Sequence, residues 1–470
     1  MKPVIDAFQD NARAAIADSK LQDALARLAH GFPEKRRAAI GRLPEFDALR
    51  DAARDLKNHT LDHLDFYLER FEEKVVEAGG TVHWARDADE AQEIIVGLCK
   101  DAGARTVTKS KSMIGEEIAI NDHLEAAGIV PVETDMGEYI IQLRHEPPSH
   151  LIAPAIHLSI GQVEDAFRDN HTHLAHERSL EEPRALLDEA RVILRERFIA
   201  ADVGITGANM LVAETGSLVI VTNEGNADLT MTLPRTHIAV ASIEKVVPTL
   251  EDAATILRVL ARSATGQDMS VYTSIVTGPK RSDDLDGPEN FHVVLLDGGR
   301  AAMLGRPVRE MLRCIRCAAC LNHCPVYKSV GGHAYGWVYS GPMGAALVPN
   351  LLGIHNARAL PHASTLCGTC EDVCPVRIPL PKLLRLLRTR DFMTRSFTAP
   401  DKLALRLWAF AAKRPALYRA VTGALSALLG GKGHYRRLPF VGGWTRSRDL
   451  PAPARRSFLR QWSLRGKNDR

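Results

Sequence analysis

Seven of the eight cysteines in this 470-residue sequence lie between positions 314 and 374, and their spacing is typical of iron–sulfur ligation. The first run, CIRCAACLNHCP at residues 314–325, has the ferredoxin pattern C-x2-C-x2-C-x3-C-P. In that pattern three thiolates bind one cluster and the fourth reaches a neighbouring cluster. The sequence therefore predicts two adjacent [4Fe–4S] clusters, the first held by Cys314, Cys317, Cys320 and Cys374 and the second by Cys324, Cys367 and Cys370.

The second run, ASTLCGTCEDVCPVRI at residues 363–378, has three cysteines where a full run has four. The missing cysteine would lie three residues before Cys367, at Ser364. Three hypotheses remain open: Ser364 Oγ binds the fourth iron, His362 or water does so, or the corner is empty and the cluster is [3Fe–4S]. A ligand other than thiolate would shift the reduction potential of the second cluster.

Other uses of these cysteines explain less of the pattern. A zinc site built from the Cys-x2-Cys pairs at 314/317 and 367/370 would leave Cys320, Cys324 and Cys374 without a role. Disulfides are uncommon in a cytosolic chain, and tight clustering favours metal. The remaining cysteine, Cys99, lies in an apolar helical pattern and is interpreted as a buried, unreactive thiol.

The elements around the cysteines predict an α/β protein in which strands alternate with helices, so that a mainly parallel sheet lies between helical layers. Predicted strands include residues 81–85, 105–110 and 236–248, and a helix is expected to begin after Thr249 as its N-cap. The predicted domains are N-terminal helices at 1–70, a three-layer α/β domain at 70–300, a dicluster region of short helices at 301–390, and a basic helical C-terminal region at 391–470.

Polar residues follow several of the predicted strands, where open α/β sheets bind ligands. One interpretation is that two lysines and a helix N-terminus bind a carboxylate, while acidic residues act as base and orienting group. The alternative is solvated strand ends, helix caps and a tight turn at Asn223–Asn226. The candidate residues are Lys109, Lys111 and Ser112, then Glu133, Asp135 and Glu138, and finally Asn223, Glu224 and Asn226. His150 and His157 are interpreted as hydrogen-bonded structural histidines.

Charge is distributed unevenly along the chain. Residues 376–470 contain 22 Lys and Arg against 4 Asp and Glu, a net +18, whereas the preceding residues carry a net −15. The basic region is expected to dock on acidic partner subunits, with peripheral membrane contact as the alternative and nucleic acid the least favoured. No apolar run reaches the roughly 18 residues of a membrane span, and the start has no apolar signal segment, so we expect a cytoplasmic protein.

Longer motifs resemble a known family. The segments at 109–143, 148–157 and 204–226, together with the two cysteine runs, are similar to the iron–sulfur subunits called lactate utilization protein B. The resemblance covers nearly the whole chain. It implies an α/β domain with a fold like that of NagB, RpiA and the CoA transferases, two partner subunits, and a role as electron carrier in the oxidation of L-lactate to pyruvate. The three-cysteine second run is also a feature of the family.

The residues agree with a carrier role, because lactate oxidation releases two electrons and a cubane cluster accepts one at a time. No Gly-x-Gly-x-x-Gly follows a predicted strand, so the sequence indicates no dinucleotide site, and the primary acceptor is expected in a partner. Two alternatives remain. The chain could be a self-sufficient enzyme acting on a hydroxy acid or acyl group through an open iron or Glu224, or a metabolite-binding scaffold with structural clusters.

Overall fold

The computed structural model describes residues 3–175, 177–395, 399–431, 433–435 and 449–468. The chain divides into two compact units, residues 1–393 and 394–470. The helices of the first unit are α1 Phe8–Ala17, α2 Ser19–Gly41, α3 Phe46–Asp62, α4 Leu64–Glu77, α5 Ala88–Asp101, α6 Met113–Glu117, α7 Ile120–Ala126, α8 Met136–Leu143, α9 Ile160–Asn170, α10 Pro183–Ile199, α11 Asn226–Thr232, α12 Leu250–Ala264, α13 Ala301–Leu304, α14 Ala319–His323, α15 Pro325–Val330, α16 Gly341–Leu351, α17 Thr369–Asp372 and α18 Leu380–Thr394.

Two sheets organise the first unit. Its strands are β1 Thr81–Ala85, β2 Thr106–Lys109, β3 Val130–Glu133, β4 Val203–Gly207, β5 Met210–Val212, β6 Ser217–Thr222, β7 Thr236–Ser242, β8 Val246–Val247, β9 Tyr272–Val276 and β10 Asn290–Leu296. Six of them form a parallel sheet in the order β1-β10-β7-β4-β2-β3. The other four form a mixed sheet in the order β8-β5-β6-β9, which the sequence analysis did not separate from the first.

The central strand β7 shows why the six-stranded sheet lies between two layers. Ile238 and Val240 pack into one apolar core with α5, while Ala239 and Ala241 pack into another with α4 and the second sheet. Side chains alternate between the faces of a strand, and every residue of β7 is buried, so this strand is covered on both sides. The expectation of an α/β unit with a mainly parallel sheet is therefore confirmed.

Several predicted elements are divided by local backbone chemistry. The segment 236–248 contains β7, a 3-10 turn at Ile243–Lys245 and then β8. The helix expected from Ile114 to Gly128 is two helices, because Ala119 adopts a left-handed backbone with φ 50°. The first N-terminal helix ends at Asp18, whose side chain caps α2 by accepting a hydrogen bond from Leu21 N. The cap at Thr249 is present as a capping box with Asp252.

The N-terminal helices share their apolar core with the cysteine region. Leu25 and Leu28 of α2 and Ala53 of α3 belong to the same buried cluster as Tyr327 and Leu383. Tyr327 is fully buried, and its hydroxyl donates to the carbonyl of Ser149 at 2.7 Å. The cysteine-bearing segments are short and contain many turns, so they obtain their stability from helices that lie far away in sequence.

The second unit contains helices α19 Ala399–Ala412, α20 Pro415–Leu429 and α21 Phe458–Asn468, with short strands β11 His434–Tyr435 and β12 Leu450–Pro451. The sequence analysis treated 404–431 as one helix. Pro415 divides it, because proline suits a first helical turn but cannot donate a hydrogen bond within a helix. Parts of the predicted basic region, including Trp444, lie outside the described residues. Among the described helices, we find none long and apolar enough to cross a membrane.

Candidate metal centre and adjoining cavity

The seven clustered cysteines form two groups in the folded chain. A small cavity is lined by Cys314, Cys317, Cys320 and Cys374, the same four residues that the crossed-ligand rule assigns to the first cluster. Burial, followed by the charges of Cys324 and Cys367, raises the pKa of Cys370 to about 12. These three cysteines therefore also lie near one another. The structure therefore brings together the two sets that spacing predicts.

The two cysteine runs repeat one backbone conformation. In the first run Arg316 and Ala318, on either side of Cys317, have positive φ angles of 59° and 58°. In the second run Leu366 and Gly368, on either side of Cys367, have φ angles of 56° and 93°. Non-glycine residues rarely adopt this region, so the repeat indicates a specific local requirement. Aligned in this way, the residue that corresponds to Cys314 is Ser364.

Backbone N–H groups lie close to several of the sulfurs, usually from the residue two positions later in the chain. The N–H group of Ala319 donates to the sulfur of Cys317, and the N–H group of Val376 donates to the sulfur of Cys374. Ile378 N also donates to Cys374 Sγ at 3.3 Å. Ser364 shows the same arrangement, since Leu366 N donates to Ser364 Oγ at 3.1 Å. His362 is exposed, and its Nε2 lies 3.4 Å from Asp391 Oδ2.

The thiols of these groups fit a cationic metal centre. Burial, followed by the charge of Cys374, raises the pKa of Cys317 to about 12, and burial raises the pKa of Cys374 to about 11. Burial, followed by the charges of neighbouring cysteines, also raises the pKa of Cys320, so these three thiols need positive charge between them in order to ionise together. Iron supplies that charge, so the donor set fits an iron–sulfur cluster. Cys99, in contrast, is buried in α5 away from both groups, and burial raises its pKa to about 12.

A larger cavity of about 290 Å³ adjoins the first group. Its walls come from the carboxyl ends of the parallel strands β2, β3, β4 and β7, from the second sheet, and from the loop that carries Arg316 and Cys317. Cys317 and Arg316 line both this cavity and the smaller one. The carboxyl edge of the sheet, where α/β proteins bind ligands, therefore faces the predicted first cluster.

Six of the nine candidate ligand-binding residues line the larger cavity: Lys111, Ser112, Asp135, Asn223, Glu224 and Asn226. Ser112 and Asp135 also cap α6 and α8, which explains why they follow strands so closely. A Cβ at Gly207 would lie 2.9 Å from Ser112 Oγ, so the glycine at the end of β4 permits the close approach of this loop. Burial, followed by the charge of Asp135, raises the pKa of Glu224.

The three other candidates, Lys109, Glu133 and Glu138, do not line the cavity. Lys109 is fully buried, and its Nζ lies 2.7 Å from Glu133 Oε1 and 2.9 Å from Glu116 Oε1. Burial raises the pKa of Glu138, and the charge of Glu133 raises it further. These residues form a buried ionic network behind the cavity wall, where the lysine already has two carboxylate partners.

The remaining polar candidates have structural partners. His150 is buried; its Nε2 lies 2.9 Å from Asn322 Oδ1, and its Nδ1 accepts from the N–H groups of Ile152 and Ala153. His157 Nε2 lies 2.8 Å from Glu146 Oε2. Asn322 lies between two of the predicted ligands, so His150 connects the α/β layer to the cysteine region.

Sequence reasoning missed several polar residues of the larger cavity, among them Lys245, Arg316 and Tyr339. Lys245 lies in the 3-10 turn after β7, and Arg316 lies between two cysteines of the first run. The predicted strand at 236–248 ran through Lys245, so the rule that selected Lys111 after a strand could not select it. Arg316 and Tyr339 had no local signal either, because only the tertiary fold brings them to the sheet.

Comparison with known protein families assigns the chain to a class of iron–sulfur proteins. Residues 68–296 match the LUD domain, residues 310–378 match the 4Fe-4S dicluster domain, and residues 395–467 match the C-terminal region of lactate utilisation protein B. A solved structure of a DUF162 family protein from Deinococcus radiodurans covers 50% of this chain and 98% of its own, at 15% identity and a TM-score of 0.26.

Curated relatives identify the family itself. The chain is 42% identical over 468 residues to lactate utilization protein B of Shouchella clausii, covering 97% of this chain and 96% of that protein. It is 41% identical over 461 residues to the protein of the same name from Bacillus thuringiensis, again covering 97% and 96%. The chain therefore belongs to the lactate utilization protein B family, which confirms the resemblance inferred from its motifs.

Proposed function

We propose that this chain is the electron-transfer iron–sulfur subunit of a cytoplasmic complex that oxidises L-lactate to pyruvate. The observation that carries the proposal is the convergence of both cysteine runs on two adjacent ligand groups. The relatives are named for lactate utilization, which supports the choice of substrate. A bound [4Fe–4S] cluster supplies one-electron transfer, so a separate group in a partner would accept the electron pair from lactate.

In this proposal the first cluster is held by Cys314, Cys317, Cys320 and Cys374, and the second by Cys324, Cys367, Cys370 and Ser364. The equivalence of Ser364 to Cys314 in the backbone repeat supports Ser364 as the fourth ligand. The N–H group of Leu366 at Ser364 Oγ supports it too, since the ligand cysteines have similar N–H groups. His362 is less suitable because it faces Asp391.

We further propose that the chain has four functional segments: N-terminal helices at 1–70, the LUD-type α/β domain at 70–300 with a fold like NagB, RpiA and the CoA transferases, the dicluster region at 301–390, and a docking region at 391–470. The matched family ranges support these divisions. Within the α/β domain, the larger cavity supports a ligand-binding role for its carboxyl edge.

The basic C-terminal region is proposed to dock on two partner subunits. In its described helices, large apolar side chains are exposed beside arginines and lysines, among them Trp408, which is 68% exposed. Further examples are Leu403, Leu405, Leu407, Phe410, Leu417, Leu425 and Leu428. Exposed apolar surface with surrounding charge is characteristic of interaction sites. Deleting residues 400–470 should release the chain from its partners, and stoichiometric co-purification of the truncated chain would contradict docking through this region.

The direct test is anaerobic purification with iron and sulfide quantitation, followed by EPR of the oxidised and dithionite-reduced chain. About eight irons with coupled signals after reduction would support two clusters with a complete second site. About seven irons with an oxidised [3Fe–4S] signal would contradict Ser364 as a stable ligand. Turnover of lactate by the isolated chain with an artificial acceptor would contradict the carrier role and would show that the chain is a self-sufficient enzyme. Clusters that resist reduction would favour a scaffold.

A further inference from the structure

The larger cavity contains a guanidinium whose hydrogen-bonding capacity is only partly used. Arg316 is buried, and its Nη2 donates to Glu244 Oε1 at 3.1 Å. Its Nε and Nη1 atoms are also buried and have no hydrogen-bond partner among the residues that the structure describes. The guanidinium lies 5.1 Å from the ring centre of Tyr339, which also lines the cavity. A buried donor without a partner is costly, so such groups commonly indicate a missing acceptor.

Lys245 is a second cation of the same wall. Its side chain is buried with 8% exposure, and within the described part of the chain its Nζ has no hydrogen-bond acceptor and no ion-pair partner within 4 Å. Lys57 is also buried, but its Nζ has an acceptor, the carbonyl of Glu244 at 2.5 Å. Lys57 does not line the cavity. Burial and the charge of Arg316 lower the pKa of Lys245 to about 8, while the charges of Glu244 and Cys314 act in the opposite direction.

These cations could instead serve only to balance the thiolates of the first group. Arg316 borders both cavities, so it suits that role in part. Lys245, however, borders the larger cavity and not the small one that the four cysteines surround. Glu244 is the nearby carboxylate, and it is already shared between Arg316 and Arg300. Glu244 therefore does not balance both cations, and although the charge of Cys314 also acts on Lys245, this lysine lines the larger cavity.

We propose that the larger cavity binds a small organic monoanion whose carboxylate is held by Arg316 and Lys245 beside Cys317. Apolar side chains of the same wall, including Leu151, Ile220 and Leu260, would contact its short hydrocarbon part. Asp135 and Glu224 also line the cavity, and their charge would disfavour a second carboxylate on the ligand. A 2-hydroxy or 2-oxo monocarboxylate fits these requirements. The choice of L-lactate and pyruvate as probes rests on the proposed function, whereas the preference for a monoanion rests on the cavity alone.

The test is calorimetric titration of the full-length, cluster-loaded chain with L-lactate and pyruvate, with EPR of the reduced clusters recorded in each state. Neutral propane-1,2-diol is the matched uncharged probe, and inorganic phosphate is the anion without a carboxylate. We expect one carboxylate to bind in a 1:1 ratio, to displace neither cluster and to alter the EPR signal of the first group. The diol and phosphate should bind at least about tenfold more weakly, because the diol offers no charge to the guanidinium, and phosphate offers no hydrocarbon part to the apolar wall and brings more negative charge towards Asp135 and Glu224.

Variants locate the binding site. Lys245→Met should weaken carboxylate binding about tenfold or more, and Lys245→Arg should restore most of it. Lys57→Met is the matched control, since it removes an equally buried lysine outside the cavity and should leave the affinity unchanged. If Lys245→Met does not fold, the affinities of the unmodified chain for L-lactate and for the diol still show whether the cavity prefers a carboxylate.

Three results would overturn this inference: no binding of either acid to a chain with intact, reducible clusters, equal binding of the diol or phosphate, or full affinity in Lys245→Met. If Lys245→Met keeps full affinity but shifts the reduction potential of the first cluster, Lys245 only balances the charge of that cluster. Failure of the proposed function would give a different result. In that case the clusters would not assemble or would not be reduced, whether or not L-lactate or pyruvate binds. Carboxylate binding to a chain with irreducible clusters would support the site and reject the electron carrier.

Discussion

The two cysteine groups share a backbone conformation but differ in their surroundings. In the first group Cys317 and Cys374 are buried, with 8% and 7% exposure, whereas Cys314 and Cys320 are partly exposed, and Cys317 also borders the larger cavity. In the second group Cys324 and Cys370 are buried, whereas Cys367 is exposed. One group therefore faces the interior cavity and the other reaches the surface of the first unit.

This difference implies a direction for electron transfer. A group beside an enclosed cavity is suited to exchange electrons with something bound inside, and a group at the surface is suited to a partner protein. Exposure and a ligand other than thiolate both change the reduction potential of a cluster, so the second group should also differ in potential from the first. The contrast between the inner group of four cysteines and the outer group, to which we propose that Ser364 belongs, can be tested one residue at a time.

The largest expected effect comes from removing one equivalent cysteine of each group. Cys317→Ala and Cys367→Ala should each lose between about one and four of the roughly eight irons, because removal of a thiolate leaves one iron without a protein ligand and weakens the hold on the whole cube. Only Cys317→Ala should also lower the unfolding temperature strongly, since the first cluster fills a buried site and its binding stabilises the fold. Iron quantitation and scanning calorimetry would measure both effects. Equal thermal losses in the two variants would refute the distinction between inner and outer groups.

Two arginines support the two groups separately. Arg50 of α3 is buried and donates to the carbonyl of Cys374 at 2.9 Å and to that of Asp372 at 2.5 Å. Arg388 of α18 donates to the carbonyl of Ser364 at 2.7 Å and to that of Pro361 at 2.8 Å. Arg50→Met should cost about 2–4 kcal/mol in the free energy of unfolding, because buried carbonyls lose their donors.

Arg388→Met should cost less, about 1–2 kcal/mol, and should affect mainly the EPR signal of the second group. Arg54→Met is the control on the same helix as Arg50, since Arg54 pairs only with the partly exposed Asp51 and Asp55 and should cost under about 0.5 kcal/mol. Urea unfolding of the three variants gives the ranking. An Arg50→Met chain as stable as Arg54→Met would mean that the carbonyls find other donors.

A smaller effect should depend on pH through His150, which connects the α/β layer to the inner group. Its Nδ1 accepts two backbone N–H groups, and Asn322 accepts at Nε2, so the fold holds the neutral ring. Burial lowers the pKa of His150 to about 4, from an ordinary value near 6.5. The stability that the neutral ring contributes is therefore complete above about pH 6.5 and is lost as pH falls towards 4.

Between pH 7.5 and 5.5 this histidine should account for about 1.5 kcal/mol of lost stability. His150→Gln should be less stable at pH 7.5 but should lose about that much less on acidification, as measured by urea unfolding at both values. His237, whose pKa burial lowers to about 3, contributes the same trend in both chains and so cancels in the comparison. If the two chains showed the same pH dependence, protonation of His150 would not be opposed by these contacts.

Local patterns predicted those features that depend on residues close in sequence. Strands alternating with helices indicated a mainly parallel sheet, and cysteine spacing gave two ligand sets that the structure brings together. Lys111, Ser112 and Asp135 were found because they follow the ends of strands that are parallel and end at one edge. Asn223, Glu224 and Asn226 were selected as a polar turn, and this turn follows β6 of the mixed sheet. Such rules need only the chain's own order of elements.

Features that depend on register or on distant segments were not predictable. Lys109 and Glu133 are direct neighbours in the register of β2 and β3, which directs the lysine into a buried ion pair instead of the cavity. Arg316 and Lys245 converge only after the dicluster region packs on the sheet. The second sheet was missed for a similar reason, because β8 has two residues and pairs with a strand more than thirty positions away.

The smallest change concerns a single atom of the outer group. If Ser364 Oγ binds the second cluster, Ser364→Ala should lose about one iron of eight and gain an oxidised [3Fe–4S] signal, while the inner group is unaffected. Ser364→Cys should keep all irons and give the second group the ligand set of the first. The potentials of the two groups should then move closer together, although the exposure of Cys367 would keep them from becoming equal. Ser329→Ala is the control, because the hydroxyl of this exposed serine donates to the carbonyl of Pro325, and it should change neither iron content nor signal. An unchanged iron content in Ser364→Ala would mean that water or His362 is the fourth ligand of the second cluster. A His362→Ala variant would distinguish these two ligands.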